Sequence, residues 1–477
     1  MSTSNDATEK VTSSENTARV AIIGAGIGGL TTAYTLKRAG VACDLFEASE
    51  TAGGAIHSHV EDNWVCELGP NTLLDRQGVI SDLIEELGLQ SERVYPSSTS
   101  KNRFIVRDGQ PHALPMSPAA LWKTKLFSTQ AKLRLFAEPF VEARIEPELD
   151  ESLYNFATRR LGQEIVDYAL DPFIAGTYAG RLNQLSSHYA LARLKELEEE
   201  SGSLFKGALF GPKKTDDSKP KRKASLINFK RGAQTLTDAM AREIGEHLHT
   251  STPITKLTQE KESGRWKLTS KGDTALSGEY DVVLMSLPAH VIAQMDIRPA
   301  DTHAATDLSA FASITHPPIS LISIGFRRDQ FKHPLNGFGV LIPSKEEFTH
   351  LGSLFASSIF VERAPRDHVQ IVSFIGGARH PESALWSEEE QVALLLDELH
   401  TLLGLEGKPV KVLRRHWGKS IPQYEVGYEH TLSAIEAVEE TLPGIIFGGN
   451  WKGGIAVPDV VKNARHFAHL IQQRVHQ

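Results

Sequence analysis

The sequence predicts an α/β protein whose main domain has a two-dinucleotide-binding fold, joined to a mixed-sheet domain and a helical subdomain. Three observations carry this prediction. A strand, a glycine-rich loop and a helix follow one another near the N-terminus, and a second glycine-rich loop leads into the last helix. The chain also has 477 residues, more than a single hydrophobic core usually organises.

The N-terminal unit has the pattern of a βαβ motif. Val20–Ile23 is a short apolar run that ends at glycines, as buried parallel strands often do. The apolar positions from Leu30 to Leu36 have helical spacing, and Gly40 is a helix-terminating glycine. A second strand ends within Asp44–Glu47, which completes a unit of about 30 residues.

Residues 24–29 read GAGIGG and match the G-x-G-x-x-G pattern of dinucleotide-binding loops. The match is specific because the loop follows a strand, opens a helix and precedes an acidic residue, Glu47, 18 positions after Gly29. Gly24 permits the tight turn, Gly26 lets the backbone approach a pyrophosphate, and Gly29 lets helix and strand pack closely. The helix N-terminus supplies amide donors to the phosphates, and Glu47 is expected to accept hydrogen bonds from a ribose.

Further segments favour FAD over NAD as the dinucleotide. Gly53-Gly54 and Glu67-Leu68-Gly69-Pro70 resemble the extended FAD motif of the amine-oxidase and desaturase superfamily. Many relatives place Arg or Lys after the second glycine; this chain has Ala55, so only backbone contacts are expected there. The loop at 448–459 resembles the segment whose amides face the O2 edge of the flavin, where a helix N-terminus stabilises negative charge on the reduced ring. The residues expected to hold a non-covalent FAD are Gly24, Ala25, Gly26, Ile27, Gly28, Gly29, Glu47, Ala48, Gly54, Ala55, Gly69, Pro70, Asn71, Thr72, Ile254, Ile455, Ala456 and Val457.

Several internal stretches resemble one family, the FAD-dependent protoporphyrinogen oxidases with their coproporphyrinogen-oxidising relatives. The resemblance covers roughly residues 18 to 475, and the amine oxidases and phytoene desaturases share the two ends but not these middle stretches. One position departs from the family pattern F-K/R-G-G-x-Q-x-L, since Arg231 stands where its first glycine is usual. The stretches are 102–109, 171–180, 194–207, 229–236, 337–344 and 351–355.

The resemblance implies a porphyrinogen substrate that the flavin oxidises. It places Arg103 against a propionate, where a guanidinium can form a planar two-bond pair. It also implies that Gly176 lets the macrocycle approach the backbone. A porphyrinogen loses hydride readily because its product is aromatic, so the protein mainly has to bind and orient it, and we expect neither a catalytic side chain nor a metal. The residues assigned to the substrate are Arg103, Gly176, Thr177, Leu341, Leu354 and Phe374.

Three functions stay open from the sequence. The first is the oxidation of protoporphyrinogen IX by O2 in heme biosynthesis. The second is the oxidation of coproporphyrinogen III, which carries four propionates rather than two and should need more cationic partners in the pocket. The third is non-catalytic flavin binding, against which the intact cofactor motifs and pocket stretches weigh.

The composition limits the kinds of binding partner and the cellular location that can be expected. A net charge of −8 argues against nucleic acid, and Cys43 and Cys66 show neither metal-ligand spacing nor a disulfide framework. No apolar run reaches the roughly 18 residues that a spanning helix requires. The segment 1–18 has no signal-peptide pattern and is expected to be a disordered tail. We expect a cytoplasmic bacterial enzyme, with a homodimer left open.

The stretch Met116–Ala143 is expected to be helical and mixes apolar residues with four cations, Lys123, Lys125, Lys132 and Arg134. These cations are expected to form a solvated basic face; a sharper hypothesis is a patch that binds peripherally to the inner face of the cytoplasmic membrane. The expected domains are a cofactor domain from 18–90, 225–295 and 405–477, a substrate domain from 91–115, 160–224 and 296–404, a helical subdomain at 116–159, and a mobile basic loop at 211–225.

Overall fold

The structure is a computed structural model that describes residues 18–76, 78–144, 150–210, 224–272, 274–302 and 304–475. The expected tail at 1–18 and the expected basic loop at 211–225 lie almost wholly outside the described residues. Strands and helices are numbered in chain order.

A five-stranded parallel sheet brings both ends of the chain together. Its order is β10-β2-β1-β14-β21, and every neighbouring pair is parallel. The strand expected at 20–23 is confirmed. It is buried at all four positions, which explains why all four residues are apolar. The members are β1 (Val20–Ile23), β2 (Cys43–Phe46), β10 (Leu248–His249), β14 (Val282–Ser286) and β21 (Ile445–Gly448).

Helices cover both faces of this sheet. The first and last helices pack against each other, and the Thr32 hydroxyl donates to the Ala464 carbonyl at 3.2 Å. Gly40 has a φ of +77° just beyond the first helix, as the sequence predicted. The helices on one face are α1 (Ile27–Arg38), α2 (Val79–Glu86), α10 (Gln234–Ile244) and α16 (Val457–Val475), and those on the other are α11 (Ala289–Ile292), α12 (Ser309–Ala312) and α15 (Tyr428–Glu440).

Smaller sheets surround the cofactor end of this layer. One has the order β13-β12-β11-β15, a second is a hairpin, and a third has the order β5-β9-β6. Their members are β3 (Ser58–Glu61), β4 (Trp64–Glu67), β5 (Leu73–Asp75), β6 (Arg93–Val94), β9 (Ser225–Phe229), β11 (Ile254–Gln259), β12 (Trp266–Ser270), β13 (Thr274–Ala275) and β15 (Asp296–Arg298).

A seven-stranded mixed sheet forms the second large layer, in the order β20-β16-β19-β18-β17-β7-β8. Only the pair β7–β17 is parallel. The segment 411–417 belongs to this sheet, although the sequence analysis grouped it with the cofactor domain; its pairing with a strand some 90 positions earlier leaves no local signal. The members are β7 (Phe104–Arg107), β8 (Gln110–Ala113), β16 (Ile319–Arg327), β17 (Gly339–Leu341), β18 (His350–Leu354), β19 (His368–Gly376) and β20 (Lys411–Trp417), with α13 (Ala356–Ile359) and α14 (Glu388–Leu403) beside them.

The stretch Met116–Ala143 is helical as predicted, but it is broken, because Ser128 caps a new helix by accepting a hydrogen bond from the Ala131 amide at 3.1 Å. The prediction that these four cations form a solvated basic face is wrong for Lys132 and Arg134. Lys132 is buried and donates to the carbonyls of Trp122 and Thr124, while Arg134 donates to backbone carbonyls of a later helix. The helices of this region are α3 (Pro118–Lys123), α4 (Thr129–Phe136), α5 (Leu153–Leu161), α6 (Gln163–Ile165), α7 (Asp171–Tyr178), α8 (Ala192–Ser201) and α9 (Leu204–Phe210).

Candidate functional site

The three glycines of the first loop meet different surroundings. Gly24 has a φ of +98°, a backbone conformation that favours glycine, and a Cβ on Gly29 would overlap the Gly24 carbonyl. Gly26 has an ordinary φ of −71°, and the nearest atom to an added Cβ is Gly54 Cα at 4.0 Å. Turn geometry and packing therefore account for Gly24 and Gly29, whereas the space beside Gly26 is open.

The N-terminus of α1 suits an anion. No side chain of the described residues caps it and its first turn holds no acid, so its first amides have no acceptor in the part of the chain that the structure describes. Such amides, together with the helix dipole, favour a phosphate group. The Glu47 carboxylate accepts hydrogen bonds from the amides of Ala25 at 2.8 Å and Ser49 at 2.9 Å, which holds it beside the loop. The residues present therefore fit the pyrophosphate of a dinucleotide.

The segment after Glu47 packs directly on this loop. The Gly53 amide donates to the Ala25 carbonyl at 2.8 Å, and Gly54 lies against Gly26. A Cβ on Gly69 would overlap the Ala55 carbonyl, so these two segments meet through their backbones. The structure thus brings together three segments that the sequence analysis assigned to the cofactor.

A buried carboxylate supports the segment that contains Gly69. Glu67 accepts hydrogen bonds from Ser58 at 2.6 Å and Asn228 at 2.9 Å, and it pairs with Arg363 at 3.4 Å. Burial raises the pKa of the Glu67 carboxyl, although Arg363 and the hydrogen bonds act against this. Asn228 also donates to the Asn71 carbonyl at 2.9 Å, which fixes the loop. Asn228 and Arg363 were missed from the sequence, because each is distant in the chain and stands in no motif.

The remaining predicted cofactor residues surround the same loop. Ile254 begins β11, and its buried side chain packs in the core with Phe46, while its neighbour Thr252 donates from its amide to the Glu47 carbonyl at 2.8 Å. Ala48 is exposed. Pro70 and Thr72 are half-buried on either side of Asn71.

The second glycine-rich loop is fixed by a buried tyrosine. The Tyr424 hydroxyl donates to the Asn450 carbonyl at 2.6 Å and accepts a hydrogen bond from the Gly454 amide at 3.1 Å. An added Cβ on Gly28 would lie 3.2 Å from Val460, so the start of α16 touches the start of α1. The residues of this loop that the sequence assigned to the flavin are Ile455, Ala456 and Val457.

Leu341, Leu354 and Phe374 lie on neighbouring strands and share one face of the mixed sheet. Phe374 is opposite Gly352, which is opposite Leu341, and Leu354 is opposite Val372 on the same face. All three predicted residues are only partly buried. The alternate side chains, such as Val340 and Ile371, pack with α14 on the opposite face. The three predicted residues therefore form an apolar surface directed away from α14.

Helix α7 passes over this surface. An added Cβ on Gly176 would lie 2.7 Å from Leu341 Cδ2, so a larger residue would collide with the sheet. Asp171, at the start of α7, accepts hydrogen bonds from Arg379 and from the Ser344 amide, both at 2.7 Å, which ties the helix to the sheet. The exposed Thr177 donates its hydroxyl to the Phe173 carbonyl at 2.8 Å within the helix.

Arg103 lies at the edge of the apolar surface. It immediately precedes β7, and its guanidinium stands over the Phe338 ring at 5.2 Å. Phe338 packs in the same cluster as Leu354, which links the cation to the predicted substrate residues. The Arg103 guanidinium donates to the Lys101 carbonyl at 3.4 Å, and it has no acidic partner among the described residues. Phe338 was missed as a site residue, although it stands inside the stretch 337–344.

The comparisons with known proteins agree with this arrangement. A family model described as "Flavin containing amine oxidoreductase" matches residues 27–471. The chain is 35% identical to the mitochondrial protoporphyrinogen oxidase of Nicotiana tabacum, over 95% of this chain and 94% of the relative. It is 24% identical to the coproporphyrinogen III oxidase of Bacillus subtilis (strain 168), over 95% and 97%. A solved structure from Exiguobacterium sp. 255-15 has the same fold, with a TM-score of 0.80, 24% identity and coverage of 96% and 99%. The chain therefore belongs to the flavin-containing amine oxidoreductases, within the protoporphyrinogen oxidase family.

Proposed function

We propose that this protein oxidises protoporphyrinogen IX to protoporphyrin IX at a non-covalently bound FAD, as a step of heme biosynthesis. As a member of its family the chain is a flavin-dependent oxidoreductase. The observation that carries the substrate proposal is the apolar surface of Leu341, Leu354 and Phe374 with Arg103 at its edge. The substrate loses six hydrogens in three two-electron steps, and three O2 become three H2O2.

The protein's own residues bind and orient the substrate in this reaction. FAD, when bound, supplies the two-electron acceptor. The first amides of α1 would hold its pyrophosphate, and Glu47 would hold the ribose. Arg103 would pair a propionate, while the apolar surface and α7 enclose the macrocycle and exclude water. The side chains near the sheet thus set geometry, and none is required to exchange a proton.

Non-covalent attachment is supported by the state of the two cysteines. Cys43 is buried in β2, and burial raises the pKa of its thiol to about 12. Cys66 is buried in β4, with Gln370 donating to its sulfur at 2.9 Å, and burial raises its thiol pKa as well. Thiols in this state make poor nucleophiles. FAD should therefore pass through an ultrafiltration membrane after acid denaturation, and flavin retained with the protein would contradict this.

Coproporphyrinogen III is the second candidate substrate, because relatives with this substrate in their names match nearly the whole chain.

The proposed function is tested by mixing each porphyrinogen anaerobically with the purified yellow protein. The flavin absorbance is then followed near its visible maximum. Bleaching by either substrate, with fluorescent porphyrin forming after air is admitted, is the expected result. The ratio of kcat/KM values ranks the two substrates. Absence of bleaching with both would overturn the proposed function and leave flavin binding alone.

We also propose that the helical region binds peripherally to an anionic membrane surface, where an apolar substrate would partition. Trp122 stacks on Phe136 with ring centres 5.3 Å apart, and both side chains are exposed. Nearby Phe140 is 89% exposed, although aromatic residues of this size usually seek burial. No helix in the described part of the chain has the length and apolarity needed to cross a bilayer.

A further inference from the structure

We propose that Arg379 is a positioning residue that sets the distance between helix α7 and the apolar surface, and with it the width of the slot between them that receives the porphyrinogen. The inference rests on the proposed function, since it concerns the same surface. Arg379 follows β19, the strand that carries Phe374. It belongs to none of the stretches on which the family resemblance depends, and the sequence analysis did not assign it to the substrate.

Helix α7 lies against the apolar surface at two points. Gly176 approaches the sheet so closely that an added Cβ would lie 2.7 Å from Leu341 Cδ2. Ala175 and Ala179 pack in one apolar cluster with Phe374. Gly176 is nevertheless exposed, and Leu341 and Phe374 are only half-buried, so these contacts border an open space. The width of this slot therefore depends on where α7 lies.

One guanidinium joins the three elements that border the slot. Nη1 of Arg379 donates to the Ile342 carbonyl at 2.6 Å, directly after Leu341 of β17. Nη2 donates to the carboxylate of Asp171, the first residue of α7, at 2.7 Å and to its carbonyl at 3.0 Å. Because a guanidinium is planar and its N–H groups have a fixed arrangement, these bonds hold the ends of β17, β19 and α7 in one relative position.

The Arg379 guanidinium acts on the slot only through α7. Its side chain is 7% exposed, and both terminal nitrogens donate to protein oxygens. Burial lowers the pKa of this guanidinium, and the Asp171 carboxylate acts against the shift. The same carboxylate accepts a hydrogen bond from the Ser344 amide at 2.7 Å. A propionate therefore has no access to Arg379, in contrast to Arg103, and the ion pair is a fixed link between helix and sheet.

The link acts on the less regular end of α7. The helix continues from a π-helical stretch, Val166–Leu170, and such stretches are rare and often lie at functional sites. Pro172, in the first turn of α7, has no amide to donate. The opposite end is held by the backbone, since the Ala378 amide donates to the Ala179 carbonyl at 2.7 Å. Loss of the Arg379 link therefore loosens one end of the helix while the other end stays on the sheet.

The test is the substitution R379K, which keeps a charge beside Asp171 but replaces the planar pair of donors by a single ammonium. We expect KM for protoporphyrinogen IX and Kd for protoporphyrin IX, followed by quenching of its fluorescence, to rise together by roughly ten-fold, because a loosened slot holds the ring less well. The value of kcat per bound flavin should fall by less than KM rises. Reduction of the flavin by dithionite, which needs no slot, should keep its wild-type rate.

The double substitution D171N/R379Q is the second variant, because it removes the link without leaving a buried charge unpaired. It should raise KM and Kd as R379K does. R414K is the matched control, because Arg414 donates to Gln391 of α14 at 2.8 Å and ties that helix to the opposite face of the same sheet. R414K should leave KM and Kd at their wild-type values, whatever its effect on Tm.

Flavin content and Tm of every variant are measured first. Three results would overturn the inference while porphyrinogen oxidation stands. They are wild-type KM and Kd in the Arg379 variants, equal rises in R379K and R414K, and loss of flavin or of folding in both Arg379 variants. Failure of the wild-type protein to oxidise either porphyrinogen would instead overturn the proposed function, and this inference with it.

Discussion

Arg103 is the single charged side chain on which substrate affinity is expected to depend most. A charge-assisted pair with a propionate in a partly desolvated pocket contributes about 1.5–3 kcal/mol, so Arg103→Ala should lower kcat/KM by roughly ten- to 150-fold at about 1.4 kcal/mol per decade. Most of the loss should appear in KM, since the flavin carries the chemistry. Arg103→Lys should recover only part. Steady-state kinetics with flavin content as control test this, and unchanged kinetics on both porphyrinogens would remove Arg103 from the site.

His316 should make stability depend on pH. Its Nδ1 donates to the Ile314 carbonyl at 2.9 Å, and burial lowers its pKa to about 4. The unfolded chain, with a histidine pKa of about 6.5, then binds the extra proton, so this contribution to stability is complete above pH 6.5 and is lost as pH falls toward 4, by up to about 3 kcal/mol. His316→Asn keeps a donor without the titration. Its Tm should fall less steeply between pH 6.5 and 4 than that of wild type or of the exposed-site variant His430→Asn; parallel curves would refute this.

At the scale of elements, two glycines between β1 and α1 are expected to serve different purposes: Gly26 allows FAD to bind, and Gly29 allows the protein to fold. Gly26→Val places its side chain in open space, so the variant should fold but lose FAD, with flavin content reduced by about ten-fold or more because the phosphate approach is blocked. Gly29→Ala instead pushes its Cβ into the Gly24 carbonyl and should lower stability by about 1–3 kcal/mol. Absorbance at the flavin maximum and thermal melts of the apoproteins distinguish the two. A Gly26→Val protein with stoichiometric FAD would refute the cofactor placement.

At the scale of the whole molecule, membrane binding should depend on insertion of apolar side chains more than on charge. The combined replacement of Trp122, Phe136 and Phe140 by serine should abolish flotation with anionic liposomes. Serine at Val361 and Leu385, two apolar residues that are also exposed but lie outside the helical region, provides the control and should leave flotation intact. Because Lys132 and Arg134 turn inward, salt should weaken binding only in part. Wild-type protein that stays at the bottom of the gradient at low salt would exclude the association.

The sequence by itself determined the unit β1–α1–β2, because the requirements of this unit are local. They are an apolar run, a glycine where φ is positive, a glycine where helix and strand touch, and an acid after the second strand. Local patterns also determined the last helix, which begins at Val457. The tertiary structure alone decided which cations face inward at Lys132 and Arg134, how Glu67 pairs with Arg363, and that β20 joins the mixed sheet. Contacts of this kind join residues tens to hundreds of positions apart, and their register depends on the packing of the whole sheet, which local patterns do not encode.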